Sequence, residues 1–147
     1  DPFYPALGYR IDYKGRSISI SGDTIYDENL VTNSKNVDVL FHESMSLELL
    51  DLINKQAKKT NNYLMDKITI DILDYHTPIL DVVKAANEAN VKHLVFYHHL
   101  PAPRNQLMED VMYRGVDEIR DGWTASHDGT MVILPIDSTE IIVSSVE

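Results

Sequence analysis

Four short stretches close apolar runs with side chains that can hold a cation or move a proton: Ser21-Gly22-Asp23-Thr24, His42-Glu43, His76-Thr77-Pro78 and Tyr97-His98-His99. A carboxylate is a hard ligand able to bridge two cations, and a neutral imidazole is at home in Zn, Mn or Fe sites. Asp23 and His98 are therefore suited to share a metal. His76 precedes an expected helix N-terminus, whose dipole lowers the imidazole pKa and keeps the ring neutral, yet able to serve a phosphate as donor or acid. Glu43 can orient His76 through a carboxylate–imidazole bond, the usual way a general acid is poised. Each has a plainer reading. Asp23 can be a turn or cap residue, His98 a hydrogen-bonded edge histidine, His76 a neighbour of Asp74 before the helix, and Glu43 a solvated loop carboxylate. His93 reads as structural and His127 as a surface residue. A catalytic zinc takes at least three protein ligands, so a metal on Asp23 and His98 alone would be weakly held.

Those groups work together only if strand ends carry them to one rim, the place where open α/β sheets bind ligands. With 147 residues, 44% of them hydrophobic, the chain has material for one domain with a real core, read as residues 1–147. A net charge of -10 argues against a broad nucleic-acid or anionic-membrane surface and favours a cation site. Without cysteine there is neither a disulfide framework nor a thiolate ligand, so a metal must use imidazole and carboxylate. No apolar run approaches the roughly 20 residues of a membrane-spanning helix, so no membrane partner is expected, and composition assigns no compartment. The opening Asp1-Pro2, without an initiator Met, reads as a fragment or a processed product.

The expected elements follow from periodicity. Residues 1 to 7 read as an extended lead-in. Tyr9, Ile11 and Tyr13, a Lys14-Gly15 turn, then Ile18 and Ile20 between serines predict a hairpin with one buried face. A short polar helix is expected over residues 26 to 35, and a buried strand over 37 to 41 that His42-Glu43 terminates. Ser46 suits the cap of a helix over 47 to 59, with Leu47, Leu50, Ile53 and Ala57 on one face and lysines in the last turn. A second helical piece is read over 63 to 74. Thr77 would cap a helix with Pro78 in its first position and Asn90 at its end. The next buried strand spans 93 to 97, parallel to the earlier one. Asn105 would cap a helix to about Ile119, and residues 123 to 134 a closing hairpin on Asp128-Gly129.

In sequence order, Gly8-Tyr-Arg-Ile-Asp-Tyr-Lys-Gly15, Ser17-Ile-Ser-Ile-Ser-Gly-Asp23-Thr24, Val37-Asp-Val-Leu-Phe-His42-Glu43, His76-Thr-Pro78, Val91-Lys-His-Leu-Val-Phe-Tyr-His98-His-Leu-Pro-Ala-Pro103 and His127-Asp-Gly-Thr130 resemble the carboxyl-terminal half of metallo-β-lactamase fold hydrolases. The similarity is greatest to the ribonuclease Z, phosphodiesterase and arylsulfatase-like branch. It implies an α/β fold, half of an αβ/βα sandwich: a mixed sheet with helices on its outer face. By that resemblance Asp23 matches the carboxylate that bridges two metal ions, zinc with Mn or Fe as alternatives. His98 matches the last histidine ligand of the second ion. His99 is the alternative, but the family places its ligand directly after the strand and ahead of Leu-Pro-type residues. Glu43 and His76 match the pair thought to relay a proton to the leaving group.

The resemblance also implies a partner: an amino-terminal half carrying the family's His-x-His-x-Asp-His motif and the remaining ligands, without which the chain is expected to be inactive. A homodimer is compatible with it. Ser44-Met45 stands where ribonuclease Z has Ala-Thr, and nothing resembles the tRNA-clamping arm. The expected activity is therefore metal-dependent hydrolysis of a small ester or phosphodiester. The rival is a non-catalytic half that uses the same rim as an interaction module.

Overall fold

A computed structural model describes residues 6–146, so most of the lead-in expected over residues 1 to 7 lies outside the described residues. The chain opens as a hairpin, β1 (Tyr9–Tyr13) and β2 (Arg16–Ile20). Its two-residue loop places Lys14 and Gly15 at φ 47° and 75°, the paired left-handed geometry whose twist matches the flanking strands. Helix α1 (Glu28–Asn33) follows, its first amides accepted by the Asp27 carboxylate. Then come β3 (Val39–Met45), α2 (Leu47–Lys59), α3 (Tyr63–Asp71) running into a 3₁₀ turn at Ile72–Asp74, α4 (Ile79–Glu88) and β4 (His93–Leu100). The remainder is α5 (Gln106–Met112), β5 (Trp123–Ala125), β6 (Thr130–Ile133) and β7 (Ile142–Ser145).

Strands β1 to β5 form one mixed sheet in sequence order, with β1 antiparallel to β2 and every later pairing parallel. Each parallel step needs a crossover, and α1, the α2–α4 stretch and α5 supply them. The core lies on one sheet face, where Leu40, Leu94 and Phe96 pack against Val82, Val83 and Ala86 of α4 and against Met112, Tyr113 and Val116. A buried ion pair ties in the segment that leads from β6 to β7. Asp38 accepts from Arg16 Nε at 3.1 Å and Lys92 Nζ at 2.7 Å, while the Arg16 guanidinium donates to the carbonyls of Pro135, Ser138 and Glu140 between β6 and β7. With its donors spread over four oxygens, the guanidinium is compensated for its burial.

The structure changes several expectations. The first hairpin has no buried face on β1: Tyr9, Ile11 and Tyr13 are exposed, because no described element covers the face of that edge strand that carries them. Strands β3 and β4 do not stop before their histidines. They continue to Met45 and Leu100, and His42 and Glu43 lie fully buried within a strand rather than at its end. Ser46 caps α2 as expected, through Leu49 N–H, but the helix buries Leu49, Leu50 and Ala57 while Leu47 faces solvent. Helix α3 forms, docked through Thr69 and Asn54 rather than through Leu64 and Ile68, both exposed. Asn105 caps α5, which ends at Met112 instead of near Ile119, and Gly115 then turns the chain at φ 85°. The closing hairpin is absent. β5 joins the large sheet beside β4, and β6 pairs with β7 in a separate two-stranded sheet, an edge the alternation at 142–145 was too short to announce.

Candidate functional site

Asp23 stands on the turn that leaves β2. Gly22 makes that turn at φ 66°, and a Cβ there would lie 2.5 Å from the Leu7 carbonyl oxygen, so both conformation and space require glycine. The turn is held from below. Gly22 N–H donates to Tyr97 Oη at 3.1 Å, and Ser21 Oγ donates to Gly22 O while accepting from Glu43 N–H. Asp23 Oδ1 then reaches His98 Nδ1 at 2.7 Å, with both side chains about half exposed.

A bulge brings His98 to that position. Glu43 pairs with Tyr97 and Ser44 with His99, leaving His98 as the extra residue of β4, at φ 45°. The bulge sends the two neighbouring histidines into different surroundings. His99 Nε2–H donates to the Ser126 carbonyl at 2.7 Å, so its Nδ1 is the acceptor for the hydroxyls of Tyr113 at 2.6 Å and Ser44 at 3.0 Å. Both ring nitrogens of His99 are thereby committed inside the protein, whereas His98 faces Asp23 at the rim.

His76 lies behind His98, ring centroids 5.5 Å apart and nearly perpendicular, with the Tyr75 ring tilted against it at 4.9 Å. Its Nδ1 is 3.5 Å from Glu43 Oε2, facing it without a formed hydrogen bond, and neither atom has a hydrogen-bond partner elsewhere. The other carboxyl oxygen, Oε1, accepts Thr77 N–H at 2.6 Å. Asp23, His98, His76 and Glu43 thus run in sequence from the solvent rim to the buried strand. His93 bonds Thr124 within the sheet and His127 pairs with Glu109 at the surface.

Burial governs the electrostatics. It pushes the Glu43 carboxyl up to about 8, with the Asp23 charge adding to the rise and the Thr77 amide opposing it. Burial also lowers His76, where helix α4 was expected to be the cause; that helix starts only at Ile79. His42 is enclosed, its Nδ1 near the Glu43 carbonyl and its Nε2 without a partner, and burial lowers it to about 4. These neighbours set opposite limits on stability. Below about pH 6.5 the unfolded chain protonates His42 and the folded chain does not, so stability falls as the pH drops toward 4. Above about pH 4.5 the unfolded chain ionises Glu43 and the folded chain does not, so stability falls as the pH rises toward 8. Urea unfolding of Glu43→Gln should lack the alkaline loss, on the order of 2 kcal/mol between pH 6.5 and 8, that the unsubstituted chain shows. An equal alkaline loss in both would show that Glu43 is not its source.

Among the described residues, no group of three or more His, Asp or Glu side chains is placed to hold a metal. The donors at the rim are one carboxylate and one imidazole on adjacent strand ends, a set that fits part of a borderline-metal shell. Spacing gives Tyr97 no role. Spacing makes Thr77 a helix cap, yet its hydroxyl donates to the Thr24 carbonyl and α4 has no side-chain cap. Tyr97 had one visible signal, its place in β4 on the face shared with Glu43.

No protein-family model matches the chain. Ribonuclease Z of Mycobacterium tuberculosis (strain ATCC 25618 / H37Rv) is 31% identical over 101 residues, 69% of this chain and 33% of that protein. Ribonuclease Z of Mycobacterium avium (strain 104) is 29% identical over 101 residues, 32% of its length. The crystal structure of the metallo-β-lactamase fold protein YhfI from Bacillus subtilis superposes with a TM-score of 0.52 at 15% identity, over 78% of this chain and 38% of that one. The chain is a ribonuclease Z-like protein of the metallo-β-lactamase fold. This ribonuclease Z-like chain spans about a third of the length of these curated relatives. Its helix-backed mixed sheet is the α/β architecture expected of that fold. No described helix of the ribonuclease Z-like chain is long and apolar enough to cross a membrane.

Proposed function

We propose that this chain is the carboxyl-terminal half, and one domain, of a metal-dependent hydrolase of phosphodiester bonds. The observation that carries the reading is the unbroken series Asp23, His98, His76, Glu43, in which two metal-suited donors stand at the rim and a carboxyl–imidazole pair stands behind them. Asp23 and His98 would hold part of a dinuclear zinc site, with Mn or Fe as alternatives, and an amino-terminal half would supply the remaining ligands. When bound, the metal supplies Lewis-acid polarisation of the scissile group and a water activated at neutral pH.

The chain's own residues supply orientation and a proton. With Glu43 held largely as the neutral acid by its burial, Oε2–H faces Nδ1 of a neutral His76, which leaves Nε2–H as that ring's donor. His76 gives its Nε2 proton to the departing oxygen as Nδ1 takes one from Glu43, and the pair returns to its starting state by the reverse exchange with water. Little charge accumulates on the buried imidazole. Ser44-Met45 in place of Ala-Thr supports a small ester or phosphodiester substrate over a tRNA precursor.

The complete protein should hydrolyse bis(p-nitrophenyl) phosphate, lose that activity after exhaustive chelation and regain it on adding zinc. Turnover that survives chelation would overturn the metal-dependent reading. A zinc-loaded complete protein inert toward phosphodiesters, sulfate esters and lactones would favour the interaction module instead.

A further inference from the structure

Two parts of the site come from distant segments and must keep a fixed separation. The turn at residues 22–25 carries Asp23, and β3 with the stretch before α4 carries Glu43 and His76. Thr77 touches both. Its N–H donates to Glu43 Oε1 at 2.6 Å, its carbonyl accepts Met45 N–H at 3.1 Å, and its Oγ1–H donates to the Thr24 carbonyl at 2.5 Å. It is fully buried, and every polar group it owns is engaged. Its hydroxyl is also in the right part of the sequence to cap α4, and that helix begins without a side-chain cap. A residue serving only its own helix would turn the hydroxyl inward along the chain; this one spans 53 positions to the Asp23 turn.

We propose that Thr77 is a positioning residue whose hydroxyl sets the distance between the Asp23 turn and the His76–Glu43 pair. The proposal rests on the hydrolase reading above. The backbone contacts of Thr77 fix His76 and Glu43 relative to β3, so only the side chain is free to tie in the turn. Valine keeps the shape and removes the donor. Serine keeps the donor and removes a methyl.

The test compares Thr77→Val, Thr77→Ser and His76→Ala in the complete zinc-loaded protein, with kcat, KM, metal content and melting temperature for each. Thr77→Val should lose on the order of 10- to 100-fold in kcat with KM little changed, the scale of a small misplacement of reacting groups, and Thr77→Ser should recover most of that loss. In metal-free protein, amide hydrogen exchange over residues 22–25 should quicken in the valine variant and not in the serine variant. Wild-type kcat and exchange in Thr77→Val would overturn the proposal, and so would a serine variant as impaired as the valine one. Where the valine variant does not fold, the exchange and kcat of Thr77→Ala against Thr77→Ser decide by the same criteria. Wild-type turnover in His76→Ala would instead overturn the proton-relay reading, which keeps the two failures apart.

Discussion

Replacing Asp23 by Asn in the complete protein is expected to lower metal affinity by more than about 100-fold and to abolish measurable hydrolysis. Loss of an outer-shell partner typically costs 10- to 100-fold in metal affinity, and a ligand stands one bond closer. Among the described residues Asp23 is the carboxylate that contacts His98, and a carboxamide keeps its shape while losing the charge and the second anionic oxygen. Because both side chains are about half exposed, the substitution leaves the core untouched, and the melting temperature of the metal-free protein should barely move. Metal stoichiometry by mass spectrometry under native conditions, measured beside kcat, checks the claim. Full metal occupancy in Asp23→Asn would show that the carboxylate is a turn residue.

His76→Ala should behave differently: a loss of roughly 10²- to 10⁴-fold in kcat, the contribution of a positioned proton donor, with metal content near normal. The ring packs edge-on against that of His98, and its nearest carboxyl oxygen belongs to Glu43, at 3.5 Å. A substrate whose leaving group needs no proton, such as p-nitrophenolate, should be spared part of the loss that an alkyl phosphodiester suffers. Loss of metal with the ring would make His76 a ligand. An equal loss on both substrates would remove its role as the acid.

The two substitutions separate because the site is layered. The outer pair is half exposed to solvent, and the inner pair is buried, held toward its neutral forms and short of partners. Burial raises Glu43 and lowers His76 together, so each favours its neutral form in a medium that solvates charge poorly, and the proposed relay would leave its one negative charge on Glu43, beside the Thr77 amide. The two unpartnered atoms that face one another, Glu43 Oε2 and His76 Nδ1, are the polar groups the fold leaves to each other.

The sequence by itself determined where the elements form and which side chains could do chemistry. Lys14-Gly15, Ser46, Asn105 and the apolar runs are local signals, and local hydrogen bonds or periodicity act within a few residues of where they are written. Asp23, Glu43, His76 and His98 stand out for the same reason, as chemical types at the ends of apolar runs. Their arrangement was decided by the tertiary structure alone. A one-residue bulge at His98 sends it to Asp23 and its neighbour His99 to Ser126, a difference no spacing rule contains because the bulge is a property of the β3–β4 pairing. The burial of Glu43 within β3, the exposed face of β1 and the partnership of β6 with β7 are likewise set by what packs where. So is the use of the Thr77 hydroxyl: a local pattern assigns it to the nearest helix, and the folded chain offers it a buried carbonyl 53 residues away, where a free donor would otherwise go unsatisfied.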